Sequence, residues 1–335
     1  MANGTATTDL EAGLEAHRVE LTGYCYRMLG SSFEAEDAVQ DTMVRAWRSL
    51  GKFEGRSSLR SWLYRIATNV CLTALEGRKR RPLPTGLGAP SSDPADDLVV
   101  RQEVPWLEPI PGTYTDDGRT DDPSDPATIV ASRDSIRRAF VAALQHLSAR
   151  QRAVLLLRDV LQWRAAEVAA ALDTSTAAVN SLLQRARAQL KDAQVTSDRP
   201  TEPESAEAKA LVERWVEGFE KYDIDSLVDM LTKDAIWEMP PFDGWYQGAD
   251  AIVTLIKLNC PAKAPGDQVM LPTTANGQPA LGLYMRGEDG VHRPFQLQVL
   301  DIVGGKVAHA TAFFADDTTA LFARFGLPAF PTTRS

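Results

Sequence analysis

Residues 163–191, WRAAEVAAALDTSTAAVNSLLQRARAQLK, decide how this chain is read. The spacing predicts a short Ala-rich helix over 165–172, a turn over Asp173–Ser175 and a second helix opening near Thr176. In that second helix Val179, Leu182, Leu183, Ala186 and Leu190 share one side, and Asn180, Ser181, Gln184, Arg185 and Arg187 the other. Two short helices across a three- or four-residue turn form a helix-turn-helix, whose second member fits the DNA major groove. Thr176, Asn180, Ser181 and Gln184 carry hydroxyls and amides of the kind that read base edges, while Arg185, Arg187 and Lys191 suit phosphate or guanine. The plainer alternative is a helical hairpin with a solvated polar face, which the basic residues around it disfavour.

Working outward, LSARQRAVLLLRDV precedes this motif as an amphipathic helix with Ser148 as its cap, which extends a helical unit over 133–192. A second helical unit covers 9–81. From Phe33 to Leu50 the residues Val39, Met43, Ala46, Trp47 and Leu50 recur at helical spacing, opposite Glu36, Asp37, Gln40, Asp41, Arg45 and Arg48. GKFEGRSS then breaks the helix at Gly51 and Gly55, and Ser57 or Ser58 caps the next one, with Leu59, Trp62, Leu63, Ile66 and Val70 on its apolar face. That helix ends in Arg78-Lys79-Arg80-Arg81. Phe53, Trp62 and Tyr64 lie among Lys52, Arg56, Arg60 and Arg65, an alternation of rings and cations that suits stacking on unpaired bases or holding an extruded one. Trp62 also falls on the apolar stripe, so a core role stays open for it; Phe53, between glycines, is the better base-contact candidate.

The formal net charge of −9 over 335 residues hides strong blocks. Residues 56–81 and 133–191 are each net +6, residues 82–132 are net −8, and residues 192–335 are net −9. DNA affinity follows local phosphate neutralisation, so two basic blocks in an acidic chain remain compatible with it. The length predicts two or three domains. No apolar run approaches a membrane span, and the first thirty residues lack the pattern of a signal peptide; a cytoplasmic protein is expected. Cys25, Cys71 and Cys260 are far apart and set among apolar residues, which predicts reduced core thiols. Neither they nor the scattered histidines form a metal site, and no cofactor is expected.

Residues 83–132, rich in Pro, Gly, Asp and Ser, read as a mobile linker. They contain one apolar island, VPWLEPIP over 104–111, where Trp106 and Leu107 suggest a docking point; a collapsed loop is the alternative. A second polar linker spans 194–204, and 205–335 form an α+β domain. In it helices are expected over 206–222, 224–231 and 249–258, and strands over 235–239, 268–274, 280–285, 295–303 and 306–314, the last two joined at Gly304-Gly305 as a hairpin. Asp243, Glu238, Asp301 and His309 are acid–base candidates inside such a domain, with Trp237, Trp245 and Phe313 as walls.

AEDAVQDTMVRAW, FEGRSSLRSWLYRIATNVCLTALEGRKRR and LSARQRAVLLLRDVLQWRAAEVAAALDTSTAAVNSLLQRARAQL, in this order, resemble the two conserved domains of the extracytoplasmic-function (ECF) sigma factors of the sigma-70 family. WEMPPFDGWYQGADAI and the element order after residue 205 resemble a SnoaL-like, cone-shaped (NTF2-like) α+β domain. The resemblance implies a multidomain protein: a sigma region 2 bundle (1–82), a linker with the PWLEP island (83–132), a region 4 helix-turn-helix (133–193), a linker (194–204) and the SnoaL-like domain (205–335). It implies core RNA polymerase, through the clamp helices of its largest subunit, and promoter DNA as partners, with no membrane. Asp37, Gln40, Asp41 and Arg45 are the residues it implies for polymerase. Phe53, Arg56, Trp62, Asn69, Arg78, Lys79, Arg80 and Arg81 are those for the −10 element, and Thr176, Asn180, Ser181, Gln184, Arg185 and Arg187 those for the −35 element. Some family members carry Arg where this chain has Asn180 and Leu182. The appended domain is expected to regulate rather than catalyse, with a small ligand as candidate occupant of a cavity bounded by Trp237, Trp245, His309 and Phe313. The alternatives are a SnoaL-type isomerase or cyclase fused to a DNA-binding module, and a ligand-responsive transcription regulator.

Overall fold

The computed structural model describes residues 13–53, 55, 57–114, 137–192 and 205–331. The described residues fall into two compact units, one within 1–80 and 113–195 and the other within 81–112 and 196–335.

The first unit is helical. Its elements are α1 (Arg18–Leu29), α2 (Ser32–Ser49), α3 (Leu59–Ala74), α4 (Arg138–Leu144), α5 (Ala149–Leu155), α6 (Ala165–Ala171) and α7 (Thr176–Asp192). Serine hydroxyls take the first free amides of three helices, as N-caps do. Ser31 Oγ accepts from Glu34, Ser58 Oγ from Ser61, and Ser148 closes a capping box with Gln151. The apolar stripe of α2 is Ala35, Ala38, Val39, Met43 and Ala46; Trp47, expected with them, is 59% exposed. In α3 the buried row is Leu63, Ala67, Val70 and Cys71, flanked by Tyr64 and Thr68, so the face is turned from the one expected and Trp62 and Ile66 sit half-buried at its edge.

The two helical stretches, separated by the acidic segment in sequence, pack on one another within this unit. The Arg152 guanidinium of α5 is buried, donating to the carbonyl of Met28 on α1, to Gln145 Oε1 at 3.0 Å and to the Leu147 carbonyl at 3.3 Å. Burial lowers its pKa to about 10, so it stays a cation at neutral pH. The Trp163 ring meets Tyr64 of α3 edge-on at 6.1 Å, and Tyr64 meets Tyr24 of α1 at 5.1 Å. The two stretches, expected as separate helical units joined by a linker, are brought together in this unit by apolar and charge-assisted contacts.

The second unit is α+β. Its six strands are β1 (Leu231–Glu238), β2 (Trp245–Gln247), β3 (Gln268–Ala275), β4 (Gln278–Arg286), β5 (His292–Val303) and β6 (Lys306–Phe313). They form one sheet in the order β2-β1-β6-β5-β4-β3, antiparallel except at β1–β6. The β5–β6 turn has both Gly304 and Gly305 at positive φ, as a two-residue hairpin of this hand needs. One face carries α8 (Ala206–Glu220), α9 (Leu227–Met230) and α10 (Ala249–Asn259) over a core that includes Trp215, Trp237, Leu281, Leu300 and Ile302. The Trp215 indole donates to Gln298 Oε1 at 3.0 Å. Against the other face packs α11 (Thr318–Arg324), unforeseen from sequence, with Phe322 edge-on to Tyr284 at 5.0 Å.

Residues 81–112, expected within a mobile linker, are packed onto this sheet. The Ser92 amide donates to Trp245 of β2, the Arg101 amide to Pro241, and Ile110 and Asn276 exchange two hydrogen bonds at the β3–β4 turn. Bridges Val100–Phe242 and Pro111–Ala275 add strand-like pairing. Trp106, Leu107 and Ile110 are buried. The acidic, Pro-rich composition that suggested mobility is outweighed by these apolar anchors and by satisfied backbone groups. We call this segment the strap.

A Cβ on Gly282 of β4 would lie 2.4 Å from Leu327 and 2.9 Å from Phe322. Gly282→Val is therefore expected to cost about 1–3 kcal/mol through overpacking, read by urea denaturation; an unchanged midpoint would contradict the packing of α11 on the sheet.

Candidate functional site

The helix-turn-helix is α6, a turn and α7. The turn closes with Asp173 at φ +49° and the Thr174 amide on the Ala169 carbonyl at 2.9 Å, and the Ser175 hydroxyl accepts from Ala178 at 3.1 Å. Val179, Leu183 and Ala186 of α7 are buried. Thr176, Asn180, Ser181, Gln184 and Arg185 are exposed, so one helix face presents hydroxyls, amides and a guanidinium to solvent. Arg187 is also exposed, yet its guanidinium closes on Asp159 with two hydrogen bonds of 2.9 and 2.7 Å. Asp159 is placed by a π turn, Leu156–Val160, that ends α5. A partner 28 residues away gives no local sequence signal, and it makes Arg187 less available to DNA than Arg185.

In the first helical stretch Phe53 and Trp62 are both half-buried, with ring centroids 5.0 Å apart and planes at 41°. Trp62 is thus neither a plain core residue nor a lone base-stacking ring; the two rings form a pair. Two other members of the ring-and-cation cluster are committed to the protein. Tyr64 is buried and donates to Glu20, and Arg60 pairs with Glu20 at 2.8 Å while covering the Tyr64 ring at 5.1 Å. Arg56 lies outside the described residues. Asn69 and Lys79 are exposed. The rest of the basic run is parcelled out: Arg78 pairs with Glu34, Arg80 meets His146 at 3.0 Å, and Arg81 donates to the Trp106 carbonyl at 3.0 Å and faces Glu108 at 3.5 Å.

On α2, Asp37 and Gln40 are exposed and Asp41 pairs with Arg45 at 2.7 Å. Phe33 and Trp47 are exposed on the same helical row as Asp37 and Gln40, at spacings of four, three and seven. Helical spacing alone places Trp47 with the core; the signal that places it outside is that Ala46 already fills the inward position.

The appended unit contains a cavity of about 120 Å³ between the sheet and α10. Of the four walls expected from sequence, Trp237 lines it; Trp245, His309 and Phe313 do not, and Phe314 does. The reason is strand alternation: Trp237 and Ala310 belong to the core on the helix-covered side, which puts Glu238 and His309 on the other. Trp245 instead donates to the Ala89 carbonyl of the strap at 3.0 Å. Glu238, fully buried, accepts from the Thr85 amide of the strap at 2.8 Å and from His309 Nε2 at 2.9 Å, with Asp301 4.0 Å from His309 Nδ1. Burial pushes the Glu238 pKa up, but the His309 charge and the hydrogen bonds from His309 and Thr85 outweigh it, leaving it below the usual carboxylate value. Asp243 pairs with Arg101 of the strap at 2.8 Å. Glu238 and Asp243, read as acid–base candidates, thus fasten the strap.

The comparisons agree on one family. The sigma-70 region 2 family matches residues 14–81 and the sigma-70 region 4 family residues 137–190. The chain is 61% identical over 321 residues to the ECF RNA polymerase sigma factor SigG of Mycobacterium tuberculosis, spanning 96% of this chain and 84% of that protein. It is 29% identical over 168 residues to the RNA polymerase sigma-H factor of Pseudomonas aeruginosa, which covers 50% of this chain and 77% of the other. Among solved structures, the ECF sigma factor SigJ of M. tuberculosis shares the fold with a TM-score of 0.58 at 23% identity, over 96% of this chain and 99% of that one.

Because its folded pKa is depressed, Glu238 contributes stability above the ordinary carboxylate pKa that is lost as pH falls through the folded value. Glu238→Ala should cost about 1–3 kcal/mol and speed exchange of the Thr85 amide, whereas Glu238→Gln, which keeps an acceptor, should retain most of the protection. Equal exchange in the wild type and Glu238→Ala would show that the carboxylate does not hold the strap.

Proposed function

The chain belongs to the ECF RNA polymerase sigma factors of the sigma-70 family, and from that premise we propose how its parts divide the work of promoter recognition. As a sigma factor it directs core RNA polymerase to promoters; no helix among the described residues is long and apolar enough to cross a membrane. The exposed α2 row, with Phe33, Asp37, Gln40 and Trp47, meets the clamp helices of the largest polymerase subunit, Trp47 being the aromatic anchor of the kind that dominates interfaces. Asp41 and Arg45 flank it.

The Phe53–Trp62 pair receives an unpaired base of the −10 element, which replaces ring-on-ring contact with ring-on-base stacking. Lys79 and the remaining arginines of the 78–81 run neutralise nearby phosphates, and Asn69 offers them an amide donor. The exposed face of α7 reads the −35 element, with Thr176, Asn180, Ser181, Gln184 and Arg185 at base edges; Arg187 joins only if it leaves Asp159.

The observation that carries the reading is the packing of both promoter-reading regions in one unit through Arg152 and Trp163. The two elements lie 25 bp apart by name, about 85 Å along B-DNA. A compact body of roughly 125 residues has a radius of gyration of only roughly 14 Å. The packed arrangement is therefore the state before promoter engagement, and region 2 and region 4 separate when polymerase binds. The appended domain tunes this step by holding the strap, which follows region 2 directly in the chain and leads toward region 4. It is read as regulatory rather than catalytic because Glu238, Asp243, Asp301 and His309 are drawn to the strap or to each other, outside the cavity lining.

Trp163→Ala, which removes the ring packed on Tyr64, should raise apparent affinity for core polymerase severalfold by populating the separated state; a titration showing no change would sink this coupling. Arg185→Ala should weaken −35 duplex binding by about 1–3 kcal/mol. Phe53→Ala should impair open-complex formation while sparing duplex binding, and an equal loss of both would remove the strand-capture role.

A further inference from the structure

The cavity of the appended unit is bounded by apolar side chains with no charged group among them. Besides Asn259, whose side-chain amide donates to the Leu255 carbonyl at 3.2 Å, two polar features break that largely apolar lining. Gln296 on β5 is only 6% exposed and lines the cavity, yet its amide takes no partner from the protein among the described residues. Trp237, also in the wall, has its indole N–H buried without an acceptor. Buried polar groups ordinarily find partners, so an unpartnered amide in the wall of a largely apolar cavity marks a place where a ligand atom fits.

From these features the geometry points to a binding site for a small uncharged molecule, one ring in size, carrying a single carbonyl or hydroxyl group. Size sets the first limit: a cavity of about 120 Å³ is comparable to apolar protein cavities that take one benzene-sized guest. Charge sets the second, because no lining group compensates the desolvation of an ion. Polarity sets the third: the Gln296 amide offers both donor and acceptor, which selects one hydrogen-bonding group on an otherwise apolar body.

The cavity is not built from the sheet domain alone. Leu98 of the strap forms part of the wall, next to Phe242. The neighbouring strap residues are those that fasten it: Val99 accepts from the Asp243 amide at 3.0 Å, Val100 bridges to Phe242, and Arg101 pairs with Asp243. A bound guest touches Leu98 only while the strap is seated, so it favours the seated strap by its differential affinity for that state. Binding itself stands apart from the regulatory reading of the appended domain; any effect on transcription rests on that reading.

The test uses the full-length chain and acetophenone as probe, with toluene and benzoate as comparison compounds, followed by saturation-transfer NMR titration. Acetophenone should bind saturably and benzoate should not. Gln296→Leu should weaken acetophenone roughly fivefold while leaving toluene binding in place, and circular dichroism checks that the variant is folded. Amides of residues 98–101 should exchange more slowly at saturating acetophenone. Absence of saturable binding, benzoate binding as tight as acetophenone, equal acetophenone affinity in Gln296→Leu, or unchanged exchange over 98–101 would each overturn the assignment. Bound acetophenone with slowed exchange but unchanged promoter-directed transcription would support the site and remove the regulatory reading instead.

Discussion

A single buried guanidinium, that of Arg152, ties together the two regions that read the promoter. It reaches from α5 to the last turn of α1 and also to the α4–α5 turn, so it joins segments 124 residues apart in sequence. A charge taken out of water is costly unless its donors are matched. Three of its hydrogen bonds meet carbonyl oxygens, of which only the Met28 bond crosses between the regions, and its buried Nε is left without a partner. Tyr64 and Trp163 surround the same junction with apolar surface. Opening the junction returns the guanidinium to water, which recovers its hydration and lowers the cost of separation. A buried charge thus gives a contact whose opening is eased by the hydration it recovers.

The strap is the second constraint. Residues 81–112, which lie between region 2 and region 4 in sequence, belong to the appended unit. Its backbone amides are taken by Glu238, Trp245 and Pro241, and its carbonyls by Trp245 and Asn276. We propose that a domain far along the chain, by holding the strap, acts on the reach between the two readers.

Much of this was legible in the sequence, and the exceptions have physical causes. The bounds of α6, the turn and α7 follow from helical period, a Ser cap and a residue tolerant of positive φ at Asp173, all local signals. The β5–β6 hairpin follows from Gly304-Gly305. What local pattern cannot report is which side of a rim an apolar residue takes: Trp47 and Trp62 fit the stripe by counting, but alanines and leucines at adjacent positions fill the inward rows. Strand alternation was visible in β6, but not which face carries the helices, and this moved His309 and Phe313 away from the cavity. The ties of Arg187 to Asp159 and of Glu238 to Thr85 join residues 28 and 153 apart, beyond any periodicity. The strap was misread because acidic, Pro-rich composition describes its solvent side, whereas Trp106, Leu107 and Ile110 describe the side that docks.

The account stands on the two promoter-reading regions being packed together in the free chain and apart when polymerase carries them. The most direct measurement is the distance between spin labels placed on exposed positions of α3 and α7, at Asn69 and Ala188, before and after binding core polymerase and promoter DNA. The account predicts a short, narrow distance distribution in the free chain and a shift to a separation several tens of ångströms larger in the promoter complex. An unchanged distribution in a complex that transcribes from its promoter would contradict it.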